Sequence, residues 1–295
     1  MYLLVTPVRN EEDKLKDFIR FVKEQSLPPL LWVIVNDGST DSSVDIIKAE
    51  TKEDNYIYLL NLEEKDDYGQ KSYNRTVNYG FNFIIEYIKR HHIKYKYLGI
   101  LDADIFVEKT FFEKLVDTLD KNEKLGIVSG QLYVLKNGDQ KKPENMGKHL
   151  WGGCMVYKKE CFEEIGGFPR CTSGDSVTCI KAKLKGWQIL RVFEAKAIHK
   201  RYVTSKEGRW KSHFKVGYND YYLNFSIGYA FLTAFFWLIK PPFYSGIAYL
   251  AGYFKAFFKK GEKFQDPELK KYFTVTRVAK EKISFLTTSV LSKAK

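Results

Sequence analysis

Apolar positions in the first hundred residues come in two periods that alternate along the chain. Tyr2 to Val8 is a short, mostly apolar run and reads as a buried strand. The segment from about Asp13 to Gln25 instead places Leu15, Phe18, Ile19 and Val22 on one face of a helix. Pro28-Pro29 breaks the chain, and Leu30 to Val35 reads as a second strand. Ser39, Thr40 and Asp41 are candidate N-caps for a helix through Glu50. A third strand is expected over Tyr56 to Leu60, a helix over Asn74 to Arg90 and a fourth strand over Tyr97 to Leu101. Strands alternating with helices predict an α/β domain with a mixed, mainly parallel sheet, whose ligands bind beyond the carboxyl ends of the strands.

The pattern continues more loosely from Trp151 to His199. Cys154 to Tyr157 reads as a strand, Lys159 to Ile165 as a short helix closed by Gly166-Gly167, Val177 to Lys185 as a helix, and Ile189 to Phe193 as a strand that His199 follows. Beyond about Asn219 two mostly apolar runs, Leu223 to Ile239 and Phe243 to Phe258, flank Lys240-Pro241-Pro242. Each is short of the about 20 residues that span a bilayer. Three readings stay open: a tight hairpin in the membrane, helices lying in its surface, or a helical layer on a soluble core. The expected division is residues 1–215 for the α/β domain and 216–295 for a helical, membrane-associated region.

Composition narrows the function. The 295 residues carry a net charge of +12, which favours anionic partners such as lipid headgroups or nucleotide phosphates. Local lysine excess at Lys255, Lys259, Lys260 and Lys263 would meet anionic headgroups. No RNA- or DNA-binding pattern is present, so nucleic acid is not an expected partner. Cys154, Cys161, Cys171 and Cys179 lack the spacing of a zinc site and read as packing thiols. A lysine-rich chain without a signal peptide is expected at the cytoplasmic face of the cell membrane, or in the cytoplasm if the apolar runs are a soluble layer.

The most informative stretch is Leu98 to Val107, where Asp102 and Asp104 stand one residue apart in an apolar run. If the run is a strand, both carboxylates point to one side and repel. Mg²⁺ or Mn²⁺ would relieve that repulsion and keep positions open for phosphate oxygens. The plain alternative is a pair of solvated acids at a strand exit.

Several segments, taken together and in order, resemble inverting family 2 glycosyltransferases of the GT-A fold. The likeness covers roughly Tyr2 to Arg201. It rests on Thr6-Pro7-Val8-Arg9-Asn10-Glu11-Glu12, and on Val35-Asn36-Asp37-Gly38-Ser39-Thr40-Asp41 with Asn36 in place of an Asp. Gly69-Gln70-Lys71 with Asn78-Tyr79-Gly80 and Leu101-Asp102-Ala103-Asp104 extend it. Gly166-Gly167-Phe168-Pro169 with Gly174-Asp175 completes it, Gly174 standing where the family has an acid. The resemblance implies donor contacts from Thr6, Pro7, Glu11, Asp37, Lys71, Asp102 and Ala103. It implies Mn²⁺ or Mg²⁺ held by Asp104, Asp102 and His199, with Asp175 as the general base. Trp151 is a candidate to stack on an acceptor sugar, with core packing as its alternative. Glu11 and Asp37 also suit helix N-termini, and Lys71 a solvated surface.

The implied partners are a nucleotide-sugar donor and a glycan or lipid-linked acceptor. A polyprenyl phosphate acceptor is the near alternative, since an anionic acceptor has less need of a base. A sugar-phosphate nucleotidyltransferase is the alternative from another class, but Pro7 to Glu12 lacks the glycine-rich basic loop expected there. A non-catalytic carbohydrate-binding relative fits poorly with Asp102, Asp104 and Asp175 all present.

Overall fold

β1 (Tyr2–Val8) is buried over almost its whole length, and its alternating side chains serve two layers at once. Tyr2 and Leu4 join one core, with Leu15, Phe18, Ile19 and Val22 of α1 (Glu12–Lys23); Leu3 and Val5 join the other. In the computed structural model, which describes residues 1–62, 70–136, 139–141, 150–199, 208–239 and 241–273, this sorting recurs along the sheet. β2 (Leu31–Asn36) sends Trp32 and Ile34 one way and Val33 and Val35 the other, and α2 (Ser43–Thr51) and β3 (Ile57–Asn61) follow. α3 (Gln70–Arg90) covers the second core with Val77, Phe81, Ile84 and Ile88. Gly80 admits this packing, because a Cβ there would lie 2.6 Å from Val5 Cγ1.

β4 (Tyr97–Leu101), β5 (Ile105–Val107) and α4 (Phe111–Asp120) come next, then β6 (Leu125–Lys136), β7 (Asp139–Lys141), β8 (Cys154–Lys158), α5 (Lys159–Glu164), α6 (Gly174–Leu184) and β9 (Gln188–His199). The sheet order is β3-β2-β1-β4-β8-β6-β9-β5, with β7 beside β6. β1 to β4 pair in parallel, β8 runs antiparallel to both β4 and β6, and β9 pairs parallel with β6. The expected α/β fold with a mixed, mainly parallel sheet is therefore present. The four cysteines are free thiols, three of them buried.

The structure revises several element boundaries. α3 starts at Gln70 rather than Asn74, and α6 at Gly174 rather than Val177, so Asp175 sits inside a helix. β9 runs on to His199, its last residue, instead of ending at Phe193. β4 ends at Leu101, and Asp102 to Ile105 form a turn closed by the Ile105 N–H donating to the Asp102 carbonyl at 3.0 Å. Strand alternation therefore does not bring Asp102 and Asp104 together; a chain reversal does.

The chain divides into two units, Met1–Val203 and Thr204–Lys295. The second contains α7 (Gly208–Tyr222), α8 (Ile227–Leu238), α9 (Ser245–Phe258) and α10 (Pro267–Tyr272). The boundary expected at residue 215 falls within α7. Ser226 caps α8, its side chain accepting from the Tyr229 N–H, and Asp266 before Pro267 caps α10 in the same way. Among the described residues, no helix is long and apolar enough to cross a membrane.

Candidate active site

The loops after β1 and β2 are stitched into one surface at the carboxyl end of the sheet. Asn10 N–H donates to Ser39 Oγ, Glu11 N–H to Ser43 Oγ and Glu12 N–H to Asp41 Oδ2; in return Thr40 N–H donates to Asn10 Oδ1 and Ser42 N–H to Glu12 Oε2. Asn36 uses both ends of its amide, accepting from Ser39 N–H at 3.0 Å and donating to Asn61 Oδ1 at 2.9 Å. A carboxylate at that position has no hydrogen to give Asn61. Glu11 stands at the start of α1, half-buried. Asp37 is fixed by its own N–H to the Val8 carbonyl and lies between two cations, Arg9 Nη1 and Arg75 Nη2, each at 3.4 Å from one carboxylate oxygen.

Asp102 occupies the first position of the turn after β4. Its N–H donates to the Gly153 carbonyl at 2.8 Å, and its Oδ1 accepts from the Tyr73 hydroxyl of α3 at 2.7 Å. Burial, reinforced by the neighbouring Asp104 charge, pushes the Asp102 carboxyl up to about 7, against the Tyr73 hydrogen bond and the His199 ring, which pull it down. Tyr73 is itself held well above the usual phenol range by burial first and the Asp102 charge second.

Asp104 is brought to His199 by the antiparallel pairing of β5 with β9, in which Ile105 lies opposite His199. His199 Nε2 is 3.3 Å from Asp104 Oδ2. Among the described residues no three His, Cys, Asp or Glu side chains are arranged to hold a metal. Of the expected metal set, Asp104 and His199 lie side by side, and Asp102 stands at the start of the same turn as Asp104. Asp102 is turned toward Tyr73 and the Gly153 backbone, with Asp104 near enough for its charge to be felt. An oxygen and a nitrogen donor beside further negative charge from Asp102 and Asp175 fit Mn²⁺ or Mg²⁺ chemistry.

Asp175 lies in the first turn of α6, where the helix dipole favours a carboxylate. Its loop is pinned from α3 by two asparagines one turn apart. Asn74 Nδ2 donates to the Cys171 carbonyl, Asn78 Nδ2 donates to the Phe168 carbonyl at 2.5 Å, and Arg170 Nε donates to Asn78 Oδ1. The Asn78-Tyr79-Gly80 and Gly166-to-Asp175 segments are thus two halves of one structure. Gly174 has no room for the acid of the family pattern: a Cβ would lie 2.8 Å from Asn74 Oδ1 and 2.9 Å from the Phe168 ring.

The Trp151-Gly152-Gly153 turn forms the floor between the two acids. A Cβ on Gly152 would lie 2.5 Å from Asp175 Oδ2, and one on Gly153 would fall on Asp102 Oδ2. Trp151 packs partly against the core and its backbone N–H donates to Ser129 Oγ, while its buried Nε1 has no hydrogen-bond partner among the described residues.

Of the other expected donor residues, Thr6 belongs to the core. It is fully buried, and its hydroxyl accepts from Trp32 Nε1 at 3.0 Å. Ala103 is likewise buried, packed in the core beneath the turn. Pro7 is half-buried at the end of β1, and the Lys71 side chain lies outside the described residues. Sequence reasoning did not find Arg9, Tyr73, Asn74, Arg75 or the floor role of Gly152-Gly153. A groove of about 510 Å³ bounded by Ile88, His92, Tyr95, Lys159 and Phe162 opens beside the start of β4, the opposite end from these acids.

Residues 3–173 match Glycosyl transferase family 2, and the chain belongs to that family. Its fold and its acids define a glycosyltransferase domain. The chain is similar to glycosyltransferase GlyG of Streptococcus pneumoniae, 25% identical over 136 residues, 46% of this chain and 40% of that protein. It is similar also to poly-beta-1,6-N-acetyl-D-glucosamine synthase of Staphylococcus epidermidis, 30% identical over 122 residues, 41% of this chain and 26% of that one. The match thus spans less than half the length of these curated relatives. Among solved structures, the mannosyltransferase PcManGT of Pyrobaculum calidifontis, in complex with GDP-Man and Mn²⁺, aligns with TM-score 0.53 at 16% identity over 100% of this chain and 80% of its own. TarS of S. aureus aligns with TM-score 0.52 at 14% identity over 88% and 44%. At these identities the structural likeness shows the fold alone.

Proposed function

We propose that this protein moves a sugar from a nucleotide-sugar donor to an acceptor hydroxyl, with inversion at the anomeric carbon. The observation that carries the reading is that Asp175 and Asp102 lie against two consecutive glycines, Gly152 and Gly153, with Asp104 in the turn after Asp102 and His199 beside it at the end of β9. Asp175 takes the proton of the acceptor hydroxyl as its oxygen attacks the anomeric carbon. The bond from that carbon to the phosphate oxygen breaks, and the nucleoside diphosphate leaves with the electron pair. Asp37, flanked by Arg9 and Arg75, suits the base and ribose end of the donor, with Glu11 beside it. The unpartnered Trp151 Nε1 offers a hydrogen bond to a sugar oxygen, and its ring a stacking face. A divalent ion held by Asp104 and His199 would offset the charge of the diphosphate.

Relatives described with GDP-Man and Mn²⁺, or with UDP and UDP-GlcNAc, support a nucleotide-sugar donor and a divalent cofactor. A poly-N-acetylglucosamine synthase and a teichuronic acid biosynthesis glycosyltransferase among the relatives support a carbohydrate acceptor in glycan assembly. The test is a panel of nucleotide sugars with Mn²⁺. The true donor raises the melting temperature by mass action, and Asp175→Asn lowers transfer by roughly 10²–10⁴ with donor affinity unchanged. Donor affinity that collapses while the rate per bound donor holds makes Asp175 a binding residue and overturns the assignment.

A further inference from the structure

In the helical unit, small residues make the contacts of α8 and α9. Where α7 meets α9 the contact is made by glycines: a Cβ on Gly217 would fall on the Tyr249 carbonyl, and one on Gly252 on the Phe214 carbonyl. Where α8 meets α9, a Cβ on Gly246 would fall on the Ala234 carbonyl. Ala230, Ala234, Ala248 and Ala256 are buried. The tyrosines that do go inside are tied at their polar ends, Tyr249 to Asp220 Oδ2 and Tyr253 to the Phe225 carbonyl, each at 2.6 Å.

Leu223, Phe225, Leu269 and Phe273 are buried too, but on α8 and α9 large apolar side chains point out. On α8 they recur every fourth residue: Ile227, Phe231 at 52% exposure, and Phe235 at 58%; Ile239 continues the row just past the helix. On α9 a second row runs Ile247, Ala251, Phe254, Phe258, the last at 76% exposure. The Phe231 and Phe254 rings, 5.8 Å apart, join the two rows into one face. Lys255, Lys259 and Lys260, all exposed, stand at the end of α9 beside Phe258.

Small residues at helix contacts with large apolar residues outside is the arrangement helices adopt when the outer solvent is hydrocarbon. At 12 and 14 residues, α8 and α9 are roughly 18 and 21 Å long, short of the about 30 Å hydrocarbon core. We infer that the α8–α9 face docks in the plane of an anionic lipid bilayer, phenylalanines in the acyl boundary and lysines among the headgroups. A second copy suits the face less well. In a twofold pairing the same patch meets itself, so the lysine-bearing ends gain no opposite charge, whereas acidic headgroups neutralise them. The inference is independent of the donor chemistry proposed above.

The test mixes the full chain with vesicles of phosphatidylcholine alone and of phosphatidylcholine and phosphatidylglycerol in equal parts, and measures co-sedimentation. Binding is expected to the anionic vesicles and to weaken with salt. Phe235→Ser and Phe258→Ser change exposed residues, and each is expected to lower partitioning by roughly tenfold. Lys259→Glu with Lys260→Glu is expected to abolish the preference for anionic vesicles. Circular dichroism checks that the variants fold. Wild-type protein that stays in the supernatant, or phenylalanine variants that bind as well as wild type, overturns the inference. So does a dimer by light scattering that Phe235→Ser dissociates, which assigns the face to a second copy. Failure of donor binding on the same preparation leaves this result untouched.

Discussion

The two units of this protein solve the packing problem in opposite ways. Around the sheet, Trp32, Phe18, Phe81, Phe111 and Phe112 are buried completely or nearly so, and polar groups gather at the strand ends. In the helical unit glycine and alanine fill the contacts while Phe235, Phe243 and Phe258 face outward. The first arrangement is what water selects, since burying a large apolar side chain contributes about 1.5–3 kcal/mol. The second leaves that contribution unrealised unless another surface covers the face. One chain therefore carries a unit with its large rings buried and a unit that leaves an apolar face exposed.

Matched truncations sharpen the contrast. Phe81→Ala, beneath α3, is expected to cost about 3–5 kcal/mol in denaturant unfolding. Phe235→Ala is expected to change stability in water by no more than about 0.5 kcal/mol. Equal losses at the two sites would show that the helical unit's outer face is already covered in solution. A smaller effect is expected at Gly252. Alanine is the better helix former by about 1 kcal/mol, yet its methyl would meet the Phe214 backbone, which has no rotamer to yield. Net destabilisation of about 1–3 kcal/mol is expected, read as faster hydrogen exchange confined to α7–α9. Slower exchange there would mean that the helices are not in glycine contact.

The smallest effect concerns the sheet unit's own exception, the buried acid Asp102. Its carboxyl is raised from an ordinary 3.8 to about 7, so ionising it opposes folding. The penalty is absent below the unfolded value, grows as pH rises between the two values, and is complete above about 7. Asp102→Asn, measured without divalent metal, is expected to raise stability by about 1–2 kcal/mol above pH ~7 and to change little near pH ~4, less than the full shift because water reaches part of the group. A gain of equal size at both ends of the range would locate the effect in packing rather than charge.

Much of the sheet unit was legible in the sequence. Apolar runs such as Leu31 to Val35 and the Leu15-Phe18-Ile19-Val22 face of α1 carry their period openly. β6 was not found and β9 was read only over Ile189 to Phe193, because both are long strands whose pairing shifts register at Gly130/Gln131. Asp102 and Asp104 were legible as chemistry and misread as geometry, since a turn and a continuing strand look alike when every flanking residue is apolar. The burial of Thr6 against Trp32 was not legible, because that partner comes from another strand. Tyr73 and Arg75 read as the polar face of an amphipathic helix, and only the fold shows that this face borders the acids. α8 and α9 are apolar nearly all round, so their sequences did not say which side faces inward.

Tyr73, Asn74 and Arg75 are consecutive, and successive residues point about 100° apart around α3. Tyr73 reaches Asp102, Asn74 reaches the Cys171 carbonyl and Arg75 reaches Asp37. One helical turn thus acts as a hub with three spokes, to the turn after β4, the loop before α6 and the loop after β2. No rotation of that turn improves one spoke without loosening another. The three loops are consequently held as a set, and a substitution in that turn of α3 reaches all of them.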